Sequence, residues 1–440
     1  MRVPRPFFAV AGLALALSAC GGGVTASSEP SEDSTGGASP EASGEAAPAE
    51  GEEEVPTRSD ADLVIWTDAV KVDAVTAVGD TFAEDNGISV DVQVVSSDLQ
   101  SNFVTANSAG NGPDVVVGAH DWLGNLVQNG AIVPLQLSAD QLSGYDETAV
   151  QATTYEGQLY GVPYGVEALA LYRNTDVAPD EVASLDEAIA VGQAAVDAGD
   201  VESALNLPVG DNGDAYHMQP VLTSMGGYLF GYDEETGYDA ADLGLDSEGA
   251  IAAATKIGEL GESGSGVLRR SLSGDNTIAL FTEGDAAFLV SGPWALNDVR
   301  ASGVPYAVQP VPGFEGQGDA QPFMGAQAFM VASNAQNAAF AQEFVNNGVN
   351  NVEAMQTMFD LAQLPPALTE VRDAIAEDNP DIAVFAEAAE GANPMPALPA
   401  MSAVWEPLGT AYAAIVGGAD PAGTMQQTAE TIRTAIDSAG

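Results

Sequence analysis

The sequence has 440 residues, enough for more than one hydrophobic core, and 46% of it is apolar. Its 64 acidic side chains outnumber 11 basic ones, for a formal net charge of −53. That balance excludes nucleic acid as a partner, because phosphate binding needs clustered Lys and Arg, and it disfavours an electrostatic grip on anionic lipid.

Residues 1–19, MRVPRPFFAVAGLALALSA, place two arginines before an apolar run too short to span a bilayer, which reads as a secretory signal. The run closes on Leu17-Ser18-Ala19-Cys20, and with Cys20 the only cysteine no intramolecular disulfide is possible. Leu-Ser-Ala-Cys resembles the lipobox of bacterial lipoproteins, in which the cysteine becomes the lipidated N-terminus. The resemblance implies an extracytoplasmic protein held at the cell membrane through a lipid on Cys20. Residues 20–60 are rich in Gly, Ser, Pro, Ala and Glu without an aromatic residue, and predict a disordered acidic tether. The tether holds only ten of the acids, so the folded body, starting near Ala61, must be acidic over most of its surface.

In the body, LVIW at 63–66 suits a buried parallel strand, followed by a helix ending at Asn86-Gly87, where glycine makes the C-cap. ISVDVQVV at 88–95 alternates like a strand. Ser97-Asp98-Leu99-Gln100 has the form of a capping box, opening a helix that ends before Gly110. PDVVVG at 113–118 is a third strand and Asp121 to Gly130 a third helix, a succession that predicts a doubly wound parallel sheet. The alternation returns with a helix over 180–200, a strand over 204–210 and helices over 216–226 and 247–260. The segment 275–283 then leads into a strand at 286–290, Gly292-Pro293-Trp294 opens a helix, and 327–333 is strand-like. Helices follow from about 335 to the C-terminus, and the two sets of alternation predict two domains.

Neither lysine, Lys71 or Lys256, sits in a phosphate-cradling Gly-Lys-Ser/Thr loop. His120 and His217 are the only histidines, and neither an Asp-x-Asp-x-Asp-Gly calcium loop nor a Gly-x-Ser-x-Gly elbow occurs, so no metal or cofactor is expected. Two facing carboxylates would suffice for a glycosidase, which composition leaves open. Ligands of doubly wound sheets lie beyond the carboxyl ends of the strands. There the sequence puts Trp66 with Asp68 and Trp122 with Asp121, while Trp294 and Trp405 lie near turn residues. Rings beside carboxylates suit a sugar, whose C–H faces lie on an aromatic face. Its hydroxyls donate to carboxylates for about 1.5–3 kcal/mol each. At the same junction His120 reads as structural.

The body from 61 to 440 resembles the maltose/maltodextrin-binding proteins among the extracellular solute-binding proteins of ABC importers. The matching strings include FAEDNGI at 82–88, GPDVVVGAHDWLG at 112–124, YGVPYGVEALALYRN at 160–174, FTEGDAAFLVSGPWALND at 281–298 and MPALPAMSAVW at 395–405. The resemblance implies a periplasmic-binding-protein-like α/β fold, two doubly wound lobes joined by a three-segment hinge. The crossings would fall near Val166–Glu167, Met324–Ala328 and Asp360. The N-terminal lobe would then be 61–166 plus 326–360 and the C-terminal lobe 167–325 plus 361–440. It implies no enzymatic activity: a monomer would close on an α-linked oligosaccharide and present it to an ABC transporter permease.

By position, the resemblance puts Asp68 and Lys71 in a loop whose Asp and Lys bind sugar hydroxyls, although the local spacing differs by one residue. Asp121 falls on a sugar-binding aspartate and Glu167 on a glutamate at the hinge and pocket floor. Asp214 and Tyr216 correspond to a Glu and Tyr that grip a glucosyl unit. Trp294 and Trp405 match stacking tryptophans, and Met395 the neighbouring pocket residue. Three positions depart: Gly118 stands where the family often has a stacking Trp, Trp122 where it has a pocket Arg, and Glu406 where it has a Tyr. Trp122 is therefore counted with the sugar-binding residues. Maltose, longer maltodextrins, trehalose and cyclodextrins stay open as ligands. The alternatives are a secreted glycosidase using carboxylates such as Asp121 and Glu167, and a receptor of the same fold for another solute.

Overall fold

The computed structural model describes residues 56–233, 237–274, 276–390 and 392–439, which belong to one compact unit. The expected signal segment, the lipidation site Cys20 and residues 20–55 of the expected tether lie outside the described residues. In chain order the strands are β1 (Leu63–Thr67), β2 (Val90–Val94), β3 (Val115–Ala119), β4 (Thr154–Tyr155), β5 (Gln158–Leu159), β6 (Gly161–Glu167) and β7 (Ala170–Asn174). They continue with β8 (Ser203–Asn206), β9 (Phe230–Asp233), β10 (Gly237–Leu243), β11 (Ala286–Ser291), β12 (Tyr306–Pro310) and β13 (Gly325–Val331). One sheet is ordered β2-β1-β3-β13-β6 and a second β12-β7-β11-β8, with β4–β5 and β9–β10 as separate hairpins. This is the two-lobe α/β architecture of periplasmic binding proteins.

Alternate residues of the first sheet feed two different cores. Leu63, Ile65, Val115, Val117 and Phe329 face one side, while Val64, Trp66, Val116 and Met330 face the other. Both faces are covered, so the strands read as unbroken apolar runs. The second sheet divides in the same way, with Leu171, Phe288 and Val290 on one face and Tyr172 and Leu289 on the other. Trp66 is core, fully buried with its indole N–H donating to Gln93 Oε1 at 2.8 Å.

The sheets are not wholly parallel. β13 runs antiparallel to both β3 and β6, and β7 antiparallel to both β11 and β12. The cause is topological: β6 leaves the first sheet for β7 in the second, and β13 returns from β12 to the first. A strand that leaves and a neighbouring strand that returns must point in opposite directions.

Two local expectations change. The capping box at Ser97–Gln100 does not form; Asp98 precedes the helix Leu99–Ser108 with φ 50° and makes no side-chain cap bond. Capping needs extended backbone at that position, and the left-handed turn at Asp98 removes it. The ordered body also reaches back to Pro56, ahead of the expected start at Ala61. Arg58 anchors that approach, pairing with the buried Asp114 at 2.7 Å and donating to the Gly112 carbonyl at 2.9 Å.

Candidate functional site

Strand ends deliver the site. β1 ends at Thr67, and the loop that follows is tied by Asp68, whose Oδ1 accepts from the amides of Val70 and Lys71 at 3.1 and 3.2 Å. The Lys71 ammonium pairs with the other Asp68 oxygen. β6 ends on Glu167, and β13, its neighbour in the sheet, carries Gln327. From the second sheet, β11 runs into a short turn over Pro293–Ala295 that presents Trp294. Asp68, Lys71, Glu167, Gln327 and Trp294 line one cavity of about 260 Å³, so both sheets contribute to it.

The carboxylates there are under-compensated. Glu167 is buried, and burial pushes its carboxyl above the usual range, although a hydrogen bond from Gln327 Nε2 at 2.9 Å and the charge of Lys71 pull the other way. Asp121, in the turn His120–Trp122 after β3, is buried and pushed up to about 7. Burial is the main cause and the charge of Glu167 adds to it, while its own amide and the Trp405 side chain oppose it. Asp121 Oδ1, Gln327 Oε1 and the hydroxyls of Tyr164 and Tyr216 are buried without a hydrogen-bond partner among the described residues. Each such orphan costs about 1–3 kcal/mol, a cost that a hydroxyl-bearing ligand relieves.

A second-lobe loop supplies the facing wall. Gly213 has φ +78° and lies so close to the Gly409 backbone that a side chain would collide with it, which clamps the loop onto the helix Trp405–Val416. Next in the loop, Asp214 accepts from the His217 amide at 2.9 Å and meets His217 Nδ1 at 2.7 Å. Burial alone would raise its carboxyl; the bonds and charge of His217 overcome that and hold it below the ordinary value. Tyr216 lies 6.3 Å from Trp294 and 6.4 Å, ring to ring, from Phe323, which meets Trp405 edge-on at 6.2 Å. The result is a continuous aromatic wall.

The two tryptophan turns share a device. The ring of Trp122 lies on Gly118 and that of Trp294 on Gly292, and a Cβ at either glycine would collide with the ring above it. Trp122 thus fills the space of a side chain at 118. It packs against the core that contains Val64, Leu99 and Phe103, and does not line the Glu167 cavity. His120 is buried with both ring nitrogens engaged: Nδ1 accepts from the Ala326 amide at 3.0 Å, and Nε2 lies 2.9 Å from the Met395 carbonyl, to which the neutral tautomer donates. Burial lowers its pKa to about 4. Met395 is buried in the second-sheet core and lines a separate cavity with His120 and Tyr238, apart from Glu167.

Asp68, Lys71, Glu167 and Trp294 therefore meet in one cavity, Asp121, Tyr216 and Trp405 adjoin them electrostatically or through ring contacts, Asp214 stands behind Tyr216, and Trp122 and Met395 sit to the side. Gln327 lines the cavity, Tyr164 feels the charges of Glu167 and Asp68, and Phe323 bridges the Tyr216 and Trp405 rings; none of the three is among the residues expected from the sequence. For Gln327 the signal existed: it is a lone amide in an otherwise apolar buried strand.

Comparison with known proteins follows the same direction. The family model of bacterial extracellular solute-binding proteins matches residues 77–384. The chain is 26% identical to a galactooligosaccharide-binding protein of Bacillus subtilis over 86% of this chain and 90% of that protein. It is 26% identical to a maltotriose-binding protein of Pyrococcus abyssi, covering 72% of this chain and 69% of that one. It is 28% identical to a maltooligosaccharide ABC transporter solute-binding lipoprotein of Streptococcus pneumoniae, covering 74% and 77%.

Proposed function

Since the chain belongs to the bacterial extracellular solute-binding proteins, we propose that it captures a neutral oligosaccharide, α-glucan in type, and delivers it to an ABC transporter permease. One observation carries this reading: buried acceptors and hydroxyls without partners, Asp121 Oδ1, Gln327 Oε1 and the Tyr216 hydroxyl, stand beside an aromatic wall. A sugar has donors for the first and C–H faces for the second. Asp68, Lys71, Asp121, Glu167, Asp214, Tyr216, Trp294 and Trp405 hold it, with Trp122 and Met395 shaping the ends of the groove. The lobes, 61–166 plus 326–360 and 167–325 plus 361–440, close on it as a monomer, and a lipid on Cys20 keeps the receptor at the outer face of the cell membrane.

The direct test titrates the protein with maltotriose, maltose, longer maltodextrins, trehalose and cyclodextrin while following tryptophan fluorescence. Saturable quenching or a spectral shift with a maltodextrin is expected, and silence across the panel removes the α-glucan assignment. A galactooligosaccharide is the second reading, favoured by the relative that aligns over most of both chains. Adding galactooligosaccharides to the panel decides between the two. The solute-binding relatives speak against turnover, and reducing ends released from any bound oligosaccharide would establish the glycosidase alternative instead. Replacing Cys20 by alanine should release the protein into the medium; retention in the membrane fraction would refute the anchor.

A further inference from the structure

A third aromatic ring lies on a glycine seat, outside the cleft. Tyr228 covers Gly244 so closely that a Cβ there would collide with the ring. Its hydroxyl donates to Asp242 Oδ1 at 3.0 Å, and the Asp242 carboxylate rests on Gly231, which has no more room for a side chain than Gly244. The ring is thus held at both ends, yet it is 38% exposed. Next to it Tyr232 and Tyr238 pair across the β9–β10 hairpin with centroids 4.7 Å apart. Tyr238 is tied down, its hydroxyl donating to the Pro394 carbonyl at 2.7 Å, while Tyr232 stays as exposed as Tyr228. Tyr232 and Tyr238 are shared by two cavities. One, of about 350 Å³, is also lined by Tyr228, Asp242, Gln321 and Asn393; the other, of about 430 Å³, by Tyr155 and Glu156.

Core packing does not explain this arrangement, since folding that needed these rings would cover them. A ring already fixed in direction loses little conformational freedom when a ligand stacks on it. Tyrosine faces flanked by a carboxylate and side-chain amides repeat the chemistry of the cleft, where C–H faces meet rings and hydroxyls meet acceptors. The carboxylates Asp242 and Glu156, in a chain of net charge −53, select against anionic ligands.

We propose that the tyrosine groove along the β9–β10 hairpin is a second carbohydrate site, taking neutral pyranose units on Tyr228 and Tyr232 with Asp242 and Asn393 as hydroxyl partners. The proposal rests on the reading of the protein as an oligosaccharide receptor. Phe323 and Met395 border the two cavities and also adjoin the cleft, but neither Glu167 nor Trp294 lines either cavity and neither Tyr228 nor Asp242 lines the cleft, so variants at those positions separate the two.

The experiment uses the full chain carrying Trp294→Ala and Glu167→Gln, which disables the cleft and leaves the groove untouched. Maltotriose and a galactotriose are titrated to tens of millimolar, with tyrosine resonances followed by NMR and folding checked by thermal unfolding. The cleft-disabled protein is expected to keep weak, saturable binding that shifts tyrosine signals. Adding Tyr228→Ala should weaken that binding at least tenfold. Tyr228→Phe, which keeps the ring and loses only the Asp242 bond, should weaken it by less than the alanine. The proposal is overturned if the wild type binds these sugars and the folded cleft-disabled protein binds neither, or if Tyr228→Ala leaves the weak binding unchanged. A wild type that binds no sugar at all overturns the receptor reading, and this proposal with it.

Discussion

Asp121 is the residue whose surroundings most constrain what the site does. Its carboxyl titrates near 7 in the folded protein against an ordinary 3.8. Between those values the folded state holds a proton that the unfolded chain has lost, so stability declines as pH rises through that window. Asp121→Asn should remove this part of the decline, as measured by denaturant unfolding between pH 4 and pH 7.5. Sugar hydroxyls donate to the ionised form, so binding lowers the carboxyl's pKa, and affinity rises with pH up to about 7 and levels off above it. The gain is about tenfold for each unit of lowering. Titrations from pH 5 to pH 8 should rise and then level off near pH 7 in the wild type and run flat in Asp121→Asn; an unchanged profile would assign the titration to Glu167 instead. Gly118 makes a second residue-level case. Gly118→Ala pushes its Cβ into the Trp122 ring and should cost about 1–3 kcal/mol by overpacking. Adding Trp122→Ala should relieve most of that strain, so a double-mutant cycle in which the two losses simply add would refute the contact. Position matching pointed to Asp121, Glu167, Trp294 and Tyr216, which the structure places in or beside one cavity. Phe323 was not legible, because it lies in the loop between β12 and β13 with no periodicity to mark it.

At the scale of elements, the two strand-to-turn junctions after β3 and β11 are built alike: an apolar strand, a glycine, a short turn and a tryptophan folded back onto the glycine. Apolar runs bounded by such turns are what the sequence reading detects best, which explains why β1, β3 and β11 were evident. The hairpins β4–β5 and β9–β10 were missed because neither is an apolar run, and β12 because it leads directly into an irregular loop. The direction of β13 could not be read, since periodicity reports which face is buried and says nothing about polarity. The segment ahead of β1 was hidden for another reason: its composition is that of a tether, and what docks it is the Arg58–Asp114 ion pair with hydrogen bonds from Arg58 to the Gly112 carbonyl and from Gln93 to the Thr57 carbonyl. Arg58 and Asp114 are both nearly inaccessible, and Asp114 also accepts from the Val64 and Asn337 amides, joining β1 to the chain after β13. Arg58→Ala leaves a buried carboxylate without its cation and should cost about 3–5 kcal/mol. Chemical denaturation measures this directly, and a loss below about 1 kcal/mol would mean the pair is solvated.

For the whole molecule, charge is the dominant variable. Arg58, Lys71, Lys256, Arg270, Arg300, Arg372 and Arg433 are each committed to a carboxylate, which leaves most of the 64 acids without a cation. Mutual repulsion on this scale destabilises the compact state, and salt relieves it as the screening length falls from about 10 Å at 0.1 M to about 3 Å at 1 M. The melting temperature should rise by several degrees over that range in calorimetry; a constant or falling value would show that the acids are already spaced beyond each other's reach. The two lobes also share a mechanical element. β6 and β13 both connect the sheets, and they are hydrogen-bonded neighbours, with Gly325 opposite Glu167 where both strands leave the first sheet. Two threads linked side by side behave as a leaf spring: compliant to bending across its width, stiff to twist and to sliding. The closure proposed above would then have close to one degree of freedom, with Glu167 and its partner Gln327 near the axis. In that closure the far ends of the groove would travel on long lever arms, so a small rotation at the ribbon would become a wide gape at the rim.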